Sequence, residues 1–324
     1  MTVLSPMNMR ITCVINFCSE NLMIDFTSCP VVPGRFYNGA SGGKRPVIWN
    51  NEIYILKFPP SAAGKPTDLS YTNGCVSEHL GSSIFRLCGI PAQKTMLGSF
   101  SENGKNKIVC ACQDFSENHK RFFDFCSVKN SLTDSKSNGT GTELNDIIEA
   151  IETQSYLSPS VITERFWSMF VIDALIGNFD RHNENWGFLY DENTGRLTLA
   201  PVYDCGSSLL PQADENIMRL VLSDPRELHA RIFQFPTSAI KQKGRKINYH
   251  DFITGRHHAD CNAALLKVFP AIDLAAINAF IDDMAELSLL QKDFYKAYIT
   301  ARYNLILSPA YQMLAESAGR SGAS

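Results

Sequence analysis

Three side chains in the middle of the sequence have the types and spacing that phosphoryl transfer requires: Asp180, Asn185 and Asp204. One carboxylate of such a trio receives or orients the proton of an attacking hydroxyl, and the amide and the other carboxylate hold Mg²⁺ against the phosphates of ATP. We therefore assign Asp180 to the catalytic position and Asn185 and Asp204 to the metal. The chemistry indicated is transfer of the γ-phosphoryl group of ATP.

The interval from Asp180 to Asn185 equals the Asp-to-Asn interval of the catalytic-loop pattern H-R-D-x-x-x-x-N, although here Arg181 and His182 follow the Asp. A salt-bridged turn after a helix is the simplest alternative for these residues. It is disfavoured because apolar runs flank the polar cluster on both sides, and a buried charge without a partner is costly. We expect the cluster to bind a ligand, and we assign His182 to the same nucleotide site.

A glycine-containing segment precedes two strand-like runs in the first quarter of the chain. Its central residues are Gly39, Ala40, Ser41, Gly42 and Gly43. Glycines let main-chain N–H groups approach phosphate oxygens closely, but the segment contains neither a Walker A pattern nor a clean G-x-G-x-x-G. A surface turn is the alternative for the segment alone. Its position ahead of a strand pair favours a phosphate-binding loop.

The strand pair ends in a lysine suited to the phosphates of a nucleotide. Residues 47–58 predict a β-hairpin, because two β-rich runs flank Asn50-Asn51, residues that tolerate φ > 0. Lys57 lies among apolar neighbours, where its ammonium needs an anion. We expect that anion to be Glu78, in the next predicted helix, if the helix packs beside the strand. An exposed strand lysine and an exposed helical glutamate are the alternatives.

Two further strands and a connecting segment complete the predicted N-terminal half. The strands span residues 94–100 and 107–112. Gln113, Asp114 and Phe115 would then leave the sheet at the position where a hinge between two lobes contacts adenine, and we assign them to nucleotide binding on that ground.

The second half of the chain is predicted to be mainly helical. Residues 130–142 are polar and contain glycine, which indicates a long flexible loop. Helical periodicity in Leu, Ile and Phe covers residues 144–151, 166–176, 262–269, 274–290 and 291–307. The basic run 241–246 is interpreted as a solvated loop. A docking patch for an acidic partner, or a nuclear-import-like signal, is the alternative for that run.

Composition sets limits on class and location. The chain has 324 residues, of which 44% are hydrophobic and 19% charged, with a net charge of −3. A sizeable core is available, and the basic footprint of a nucleic-acid-binding protein is missing. Ten cysteines without a C-x-x-C pair favour reduced, mostly buried thiols in a cytoplasmic protein. No apolar run approaches the roughly 20 residues that span a bilayer, and residues 1–22 lack a signal-peptide pattern.

The motifs together resemble the HipA-like family of bacterial Ser/Thr kinases, most closely its compact, stand-alone CtkA type. The resemblance is carried by Gly39-Ala40-Ser41, by residues 55–60 and 70–78, and by the loops 178–185 and 200–206. It implies an α+β, protein-kinase-like two-lobed fold, with a small antiparallel-sheet N-lobe and a mainly helical C-lobe. It also implies ATP and Mg²⁺ between the lobes, with the catalytic, metal and phosphate roles on the residues assigned above.

The resemblance leads us to divide the chain into four parts. Residues 1–22 are taken as an N-terminal extension, possibly dispensable because Met23 could also begin the chain. Residues 23–115 are the predicted N-lobe, with the glycine loop, the hairpin and the lysine and glutamate pair. Residues 116–310 are the predicted helical C-lobe with the catalytic and metal loops, and residues 311–324 are a C-terminal tail.

Two features of the family have no clear counterpart here. Full-length HipA toxins carry an additional N-terminal portion that this sequence lacks, which argues against pairing with a DNA-binding antitoxin. HipA also has an autophosphorylated serine just ahead of its glycine loop, and Ser41, inside the loop, is the candidate regulatory site in this chain. Export to act on host cells is implied only by the resemblance to the CtkA type.

Three functions follow in order of preference. The first is an autophosphorylating protein Ser/Thr kinase that uses ATP and Mg²⁺ and acts on a protein whose identity the sequence does not give. The second is a lipid or small-molecule kinase, because phosphoinositide kinases share Asp-Arg-His-x-x-Asn, although they continue with an Asp-Phe-Gly-type triplet where this chain has Asp204-Cys205-Gly206. A pseudokinase scaffold is third, disfavoured because Lys57, Asp180 and Asn185 are also present.

Overall fold

The architecture separates a sheet-based N-terminal lobe from a larger helical C-terminal lobe. The structure is a computed structural model, and it describes residues 23–33, 43–59, 73–117, 119–132 and 139–321. Within these residues the N-lobe holds a five-stranded sheet and one helix, and the C-lobe holds ten helices, a three-stranded sheet and a two-stranded hairpin. The predicted α+β, two-lobed fold is confirmed.

The secondary-structure elements of the described residues alternate between the two types along the chain. The strands are β1 (Ile24–Asp25), β2 (Lys44–Trp49), β3 (Glu52–Lys57), β4 (Thr95–Glu102), β5 (Lys105–Gln113), β6 (Lys120–Asp124), β7 (Gly187–Asp191), β8 (Arg196–Leu199), β9 (Thr237–Gln242) and β10 (Arg245–Asn248). The helices are α1 (Gly74–Leu87), α2 (Phe125–Leu132), α3 (Leu144–Thr153), α4 (Pro159–Ile176), α5 (Glu215–Ser223), α6 (Pro225–Phe233), α7 (Tyr249–Gly255), α8 (Ala259–Val268), α9 (Leu274–Asp283), α10 (Leu289–Arg302) and α11 (Ser308–Ser321).

The N-lobe sheet has the strand order β1-β4-β5-β3-β2, antiparallel except where β1 pairs parallel with β4. The predicted hairpin is confirmed as β2 and β3. Its two turn residues, Asn50 and Asn51, have φ of 49° and 62°, the left-handed values that a tight hairpin turn requires. Asparagine tolerates these values better than most residues, which is why the sequence signal was clear.

Side-chain alternation along the central strands decides which residues face α1. Val109 and Ala111 of β5 lie in an apolar cluster on the outer face of the sheet, whereas Cys110 and Cys112 lie in the main core with α1. Lys57 of β3 is in register with Cys110 and therefore points to the α1 face. The lysine thus reaches the helix that carries its predicted partner.

Helix α4 is the central element of the C-lobe. Its sequence is apolar on nearly all sides, and twelve of its 18 residues are buried, as expected for a helix enclosed by others. It ends at Gly177, which caps the helix with φ of 64°. A Cβ at Gly177 would lie 2.0 Å from the hydroxyl of Tyr298, so glycine is required for space as well as for conformation. The catalytic loop begins directly after this cap.

The small sheet β6-β7-β8 continues from the catalytic loop. Trp186, just before β7, stacks on Phe125 with ring centroids 4.1 Å apart. A Cβ at Gly187 would lie 2.1 Å from the main-chain oxygen of Phe123 on β6, so only glycine allows the two strands to approach here. The end of the catalytic loop is thereby fixed against the sheet.

Several predicted element boundaries were wrong. The helix predicted at 274–290 is interrupted after α9, because Ser288 and Gln291 form a capping box that begins α10. The predicted continuation to residue 307 contains a π-helical segment, Tyr303–Leu307, which leads into α11. Most of the predicted tail therefore continues a helix that runs to Ser321.

Two further segments differ from expectation. The loop predicted at 130–142 begins with the last residues of α2, and its residues 133–138 lie outside the described residues. The basic run 241–246 is not an irregular loop: it forms the end of β9, a two-residue turn and the start of β10. In the described part of the chain, no single helix is both long and apolar enough to cross a bilayer, and only the bent pair Ala259–Ala271 and Leu274–Asp283 reaches that length and composition.

Candidate active site

Lys57 joins the two lobes by binding one carboxylate from each. Its Nζ lies 3.0 Å from Oε2 of Glu78 on α1 and 2.9 Å from Oδ1 of Asp204 in the loop after β8. The predicted pair of Lys57 and Glu78 is therefore present. Glu78 is 1% exposed, and its oxygens accept no other hydrogen bond within the described residues. A buried carboxylate in this position stabilises the ammonium and fixes its direction.

Lys57 and its carboxylate partner Asp204 each stabilise the charged form of the other. Burial alone would lower the pKa of the lysine, but the attraction of Asp204 and Glu78 outweighs burial and raises it well above its ordinary value. Burial likewise opposes ionisation of Asp204, yet Lys57 and the nearby Lys44 lower the pKa of this carboxyl to about 2. Both partners are thus charged at neutral pH. Lys44, on β2, is a second cation at the site that the sequence analysis did not assign.

The Asp204 loop is packed directly against α1. Asp204 has φ of 59°, a left-handed conformation that is uncommon for a residue with a side chain. A Cβ at Gly206 would lie 3.1 Å from Oε2 of Glu78, and a Cβ at Gly81 of α1 would lie 2.8 Å from Cβ of Cys205. The two glycines therefore allow helix and loop to touch. This contact sets the position of Asp204 relative to Glu78.

Asp180 is held by its main chain and exposes its carboxylate. Its N–H donates to Oδ1 of the buried Asn178 at 3.0 Å, and the side chain itself is exposed. The atoms packed around the Asp180 carboxyl shield it in part from water, and this desolvation raises its pKa. The charge of Asp204 adds to the rise, whereas the charges of His182 and Lys246 oppose it. A carboxylate with this freedom and basicity suits a group that accepts a proton from a hydroxyl.

Asn185 presents the oxygen end of its amide. Its Nδ2 donates to the main-chain oxygen of Asp180 at 2.7 Å and lies 3.2 Å from Nε2 of His182. Both contacts involve the nitrogen, and within the described residues no hydrogen bond engages Oδ1 of Asn185. The oxygen is thereby left available to a ligand, and its assignment to the metal stays a prediction. His182 contacts Asn185 through this nitrogen, and its assignment to the nucleotide stays a prediction.

Arg181 connects the catalytic loop to the Asp204 loop and to α4. The guanidinium is 4% exposed and forms two hydrogen bonds with Asp173 of α4, at 3.0 and 3.2 Å. The same group donates to the main-chain oxygens of Asn185, at 2.9 Å, and Tyr203. Although burial opposes it, Asp173 raises the pKa of Arg181 and keeps it charged. This arginine fixes the spacing between the two candidate metal ligands.

Asn183 anchors a second segment to the catalytic loop. The side chain is fully buried, and its Nδ2 donates to the main-chain oxygens of Gly139 and Gly141 at 2.8 and 2.9 Å. Lys129 of α2 also donates to Gly141. Residues 139–141 are therefore bound to the loop that carries Asp180.

The predicted hinge is tied into the fold. Main-chain groups of Gln113 bond with Lys94 and with the side chain of Gln93, and the Asp114 carboxylate accepts from Ser116 at 2.7 Å. The ring of Phe115 lies 5.6 Å from that of Tyr203, and both contact Phe122 of β6. The aromatic cluster joins the hinge to the Asp204 loop. Contact of Gln113, Asp114 and Phe115 with a nucleotide stays a prediction.

The glycine loop cannot be placed in the same way. Gly39, Ala40, Ser41 and Gly42 lie outside the described residues. Gly43, the last predicted member, has φ of 75° just before β2, a conformation that favours glycine.

The side chains present fit a magnesium nucleotide. Mg²⁺ prefers oxygen ligands and is usually bound through one or two protein groups together with substrate phosphates. The amide oxygen of Asn185 and the carboxylate of Asp204 are such a pair. The described residues contain no group of three or more His, Cys, Asp or Glu side chains able to hold a metal by themselves.

Several residues that build the site carried little sequence signal. Asp173, Asn178 and Asn183 act through buried hydrogen bonds to residues outside their own helix or turn. Arg181 was recognised only as part of a motif. The density of Asn and Asp around an apolar helix end was the available indication, because buried polar groups must find partners.

Fold and site together define the class of protein: a two-lobed, protein-kinase-like phosphotransferase. Comparison with known proteins identifies the family. The HipA-like C-terminal domain family matches residues 41–266. The serine/threonine-protein kinase CtkA of Helicobacter pylori is 43% identical over 289 residues, which cover 89% of this chain and 87% of that protein. The chain belongs to the HipA-like family.

Solved structures agree with this placement. The crystal structure of the Helicobacter pylori proinflammatory kinase CtkA superposes with a TM-score of 0.85 at 42% identity, covering 91% of this chain and 98% of that one. HipA of Shewanella oneidensis, solved with HipB and operator DNA, gives a TM-score of 0.52 at 13% identity, covering 88% and 70% of the two chains. The second likeness concerns the fold alone.

Proposed function

We propose that this chain is a protein serine/threonine kinase that uses ATP and Mg²⁺ and also phosphorylates itself. The observation that carries the proposal is the position of Lys57, bonded to Glu78 and Asp204 between the lobes, beside the loop that presents Asp180 and Asn185. The relative CtkA, named a serine/threonine-protein kinase, supports the acceptor class.

Each side chain has a role that its surroundings support. Lys57 would bind phosphate oxygens, with Glu78 holding the ammonium in place. Asp180 would orient the acceptor hydroxyl and take its proton as the oxygen attacks phosphorus and the bond to the β-phosphate oxygen breaks. Asn185 and Asp204 would hold Mg²⁺, which offsets the negative charge of the phosphates when bound.

Self-phosphorylation places an acceptor hydroxyl within the chain itself. Ser41 is the candidate because it lies in the predicted phosphate loop. Phosphosite mapping by mass spectrometry after incubation with ATP would identify the modified residue. A different phosphorylated serine or threonine would replace Ser41 without changing the proposed activity.

The proposal is tested by transfer of labelled phosphate from ATP. We expect Asp180→Ala and Asp204→Ala each to lower incorporation into the chain and into added protein by at least about a thousandfold, because each removes a group that acts on the reacting atoms. Acceptors should include proteins and phosphoinositide vesicles. Labelling of the vesicles but of no protein would contradict the proposed acceptor class.

Two controls separate loss of chemistry from loss of fold. Circular dichroism and thermal unfolding should show both variants folded. Asp191→Ala, at the half-buried end of β7, removes a carboxylate that, within the described residues, bonds only to the adjoining turn, and it should keep wild-type incorporation. Full activity of Asp204→Ala would contradict its assignment to the metal.

A further inference from the structure

The turn between β9 and β10 carries a compact group of exposed cations. Its members, here named the cationic hairpin, are Lys241, Lys243, Arg245 and Lys246, and all are exposed. Within the part of the chain that the structure describes, none of the four forms an ion pair with a carboxylate. Because the chain as a whole has a net charge of −3, this cluster is a local concentration of positive charge on its surface.

The arrangement of these cations is unfavourable for stability. Lys241 and Lys246 are directly opposite each other in the strand register, so their ammonium groups share one face of the hairpin. Like charges directly opposite on a strand pair are destabilising. The turn residues Lys243 and Gly244 have φ of 54° and 76°, and a lysine in the left-handed region adds strain. Stability alone does not account for cations at these positions.

The hairpin is fixed to the catalytic loop by a short segment. Asn183 binds Gly139 and Gly141, and the next residue, Thr142, accepts the N–H of Lys241 at 2.8 Å through its main-chain oxygen. Glu143 then accepts the N–H of Gly244 at 3.1 Å. Its carboxylate is the one acid bonded to the turn in the described residues, so the hairpin keeps an excess of positive charge.

The other end of the hairpin is anchored to the same loop. Tyr249, directly after β10, is buried and donates its hydroxyl to the main-chain oxygen of Asn178 at 2.6 Å. Asn178 in turn holds the N–H of Asp180. The hairpin is thus tied to both flanks of the catalytic aspartate. Lys246 lies near enough for its charge to oppose the rise in the pKa of Asp180.

We propose that the cationic hairpin binds acidic side chains of the protein acceptor and so directs serines or threonines flanked by Asp or Glu to Asp180. The inference rests on the proposed function, because it names the class of acceptor for that site. The occupant is a carboxylate-rich segment, since it complements four cations that form no ion pair within the described residues and that are held at a fixed place beside the catalytic group. Such contacts act on acceptor affinity and association rate more than on the chemical step.

The test compares two serine peptides that differ only in flanking glutamate or glutamine. We expect the full chain to prefer the glutamate peptide by about tenfold in kcat/KM, mainly through KM, because several exposed ion pairs act together. The variant K241Q/K243Q/R245Q/K246Q should lose this preference while retaining the KM for ATP. The control K105Q/K267Q, which neutralises exposed lysines elsewhere, should keep the preference.

A binding measurement keeps the inference independent of turnover. Fluorescence anisotropy of the labelled glutamate peptide should show binding that weakens with added salt and with the fourfold variant. Equal use of both peptides by the wild type, or a preference that survives in the variant, would overturn the hairpin's role and leave the proposed function intact. No transfer to either peptide would count against the protein-acceptor function. Hairpin-dependent binding of anionic vesicles or RNA instead of the peptide would overturn the acidic-peptide assignment.

Discussion

Arg181 is the residue on which the geometry of the site depends most. It is buried, and its five N–H groups form a planar fork that can serve a carboxylate and main-chain oxygens at the same time. Because its partners lie on α4, at Asn185 and at Tyr203, it joins the catalytic loop to the Asp204 loop, together with the Tyr203 hydroxyl, which donates to the main-chain oxygen of Glu184. Its charge holds the fold of the site together and does not act on a reacting group.

Replacing Arg181 with lysine should therefore damage the protein despite the retained charge. A single ammonium cannot reach Asp173 and both main-chain oxygens, and each buried group left without a partner costs about 1–3 kcal/mol. We expect a loss of at least about 2 kcal/mol in the free energy of unfolding by urea, and a fall in kcat. Arg196→Lys, at an exposed position, is the matched control. Wild-type values for both quantities would show that a point charge is sufficient.

At the scale of residues, the sequence was informative where types and spacing carry the chemistry. The pairing of Glu78 with Lys57 could be predicted because an apolar strand lysine needs an anion. The roles of Asp180, Asn185 and Asp204 were assigned because their order follows a known pattern, and these roles stay predictions. Asn183 could not be assigned a role, because its partners lie more than 40 residues away in the chain. Such contacts are set by the fold and leave no local pattern.

Helix α1 carries a histidine, His79, whose pKa is lowered in the folded protein. His79 follows Glu78, and its Nδ1 lies 2.9 Å from the hydroxyl of Thr95 on β4. Burial, with a smaller contribution from Arg86, lowers the pKa of His79 to about 4. The folded protein therefore keeps this imidazole neutral where an unfolded chain would protonate it.

The stability of the protein should depend on pH through this histidine. Between its ordinary pKa near 6.5 and its folded pKa near 4, the unfolded chain binds a proton that the folded chain does not, so stability is complete above that window and falls as the pH is lowered through it. The loss is at most about 3 kcal/mol. Urea unfolding from pH 7 to pH 5 should show a smaller loss for His79→Gln than for the wild type.

The comparison variant for this measurement is His257→Gln, which removes an exposed imidazole instead. A pH dependence in His79→Gln as steep as that of the wild type would place the effect on other groups. Ordinary carboxylates titrate mainly below about pH 5, so the interval from pH 7 to pH 5 reports chiefly on histidines.

Helices and strands were predictable where apolar periodicity was long. They were missed where a few polar residues determined the start or end of an element. The hairpin β2-β3 followed from its Asn-Asn turn, and α4 from its apolar run. The break between α9 and α10 was missed, because hydrophobic periodicity continues through it while the Ser288 and Gln291 capping box ends it. The strands of the basic run were missed because charge pointed to a loop.

On the scale of the whole molecule, Lys57 and Asp204 make the lobes depend on each other. Binding of a magnesium nucleotide between the lobes should stabilise the folded chain by mass action, by about 2.7 kcal/mol at a ligand concentration one hundred times Kd. For a chain of this size we expect Tm to rise by about 5–10 °C with Mg²⁺ and a non-hydrolysable ATP analogue. Thermal unfolding monitored by fluorescence measures the shift.

Removal of the metal is the control for that shift. EDTA should abolish most of it, and Asp204→Asn should show little metal-dependent gain relative to its own baseline. A shift of the same size with EDTA would mean that the nucleotide binds without the ion assigned to Asn185 and Asp204.

The double ion pair of Lys57 has a consequence for covalent chemistry. Only a neutral amine reacts with acylating and sulfonylating reagents, because its lone pair is the nucleophile. Here two carboxylates keep the Lys57 ammonium protonated, and its side chain is only 19% exposed. Lys57 is therefore a poor nucleophile. Compounds designed to bond covalently to it would first have to draw Asp204 away, so amine reactivity at this position reports whether the carboxylate has moved.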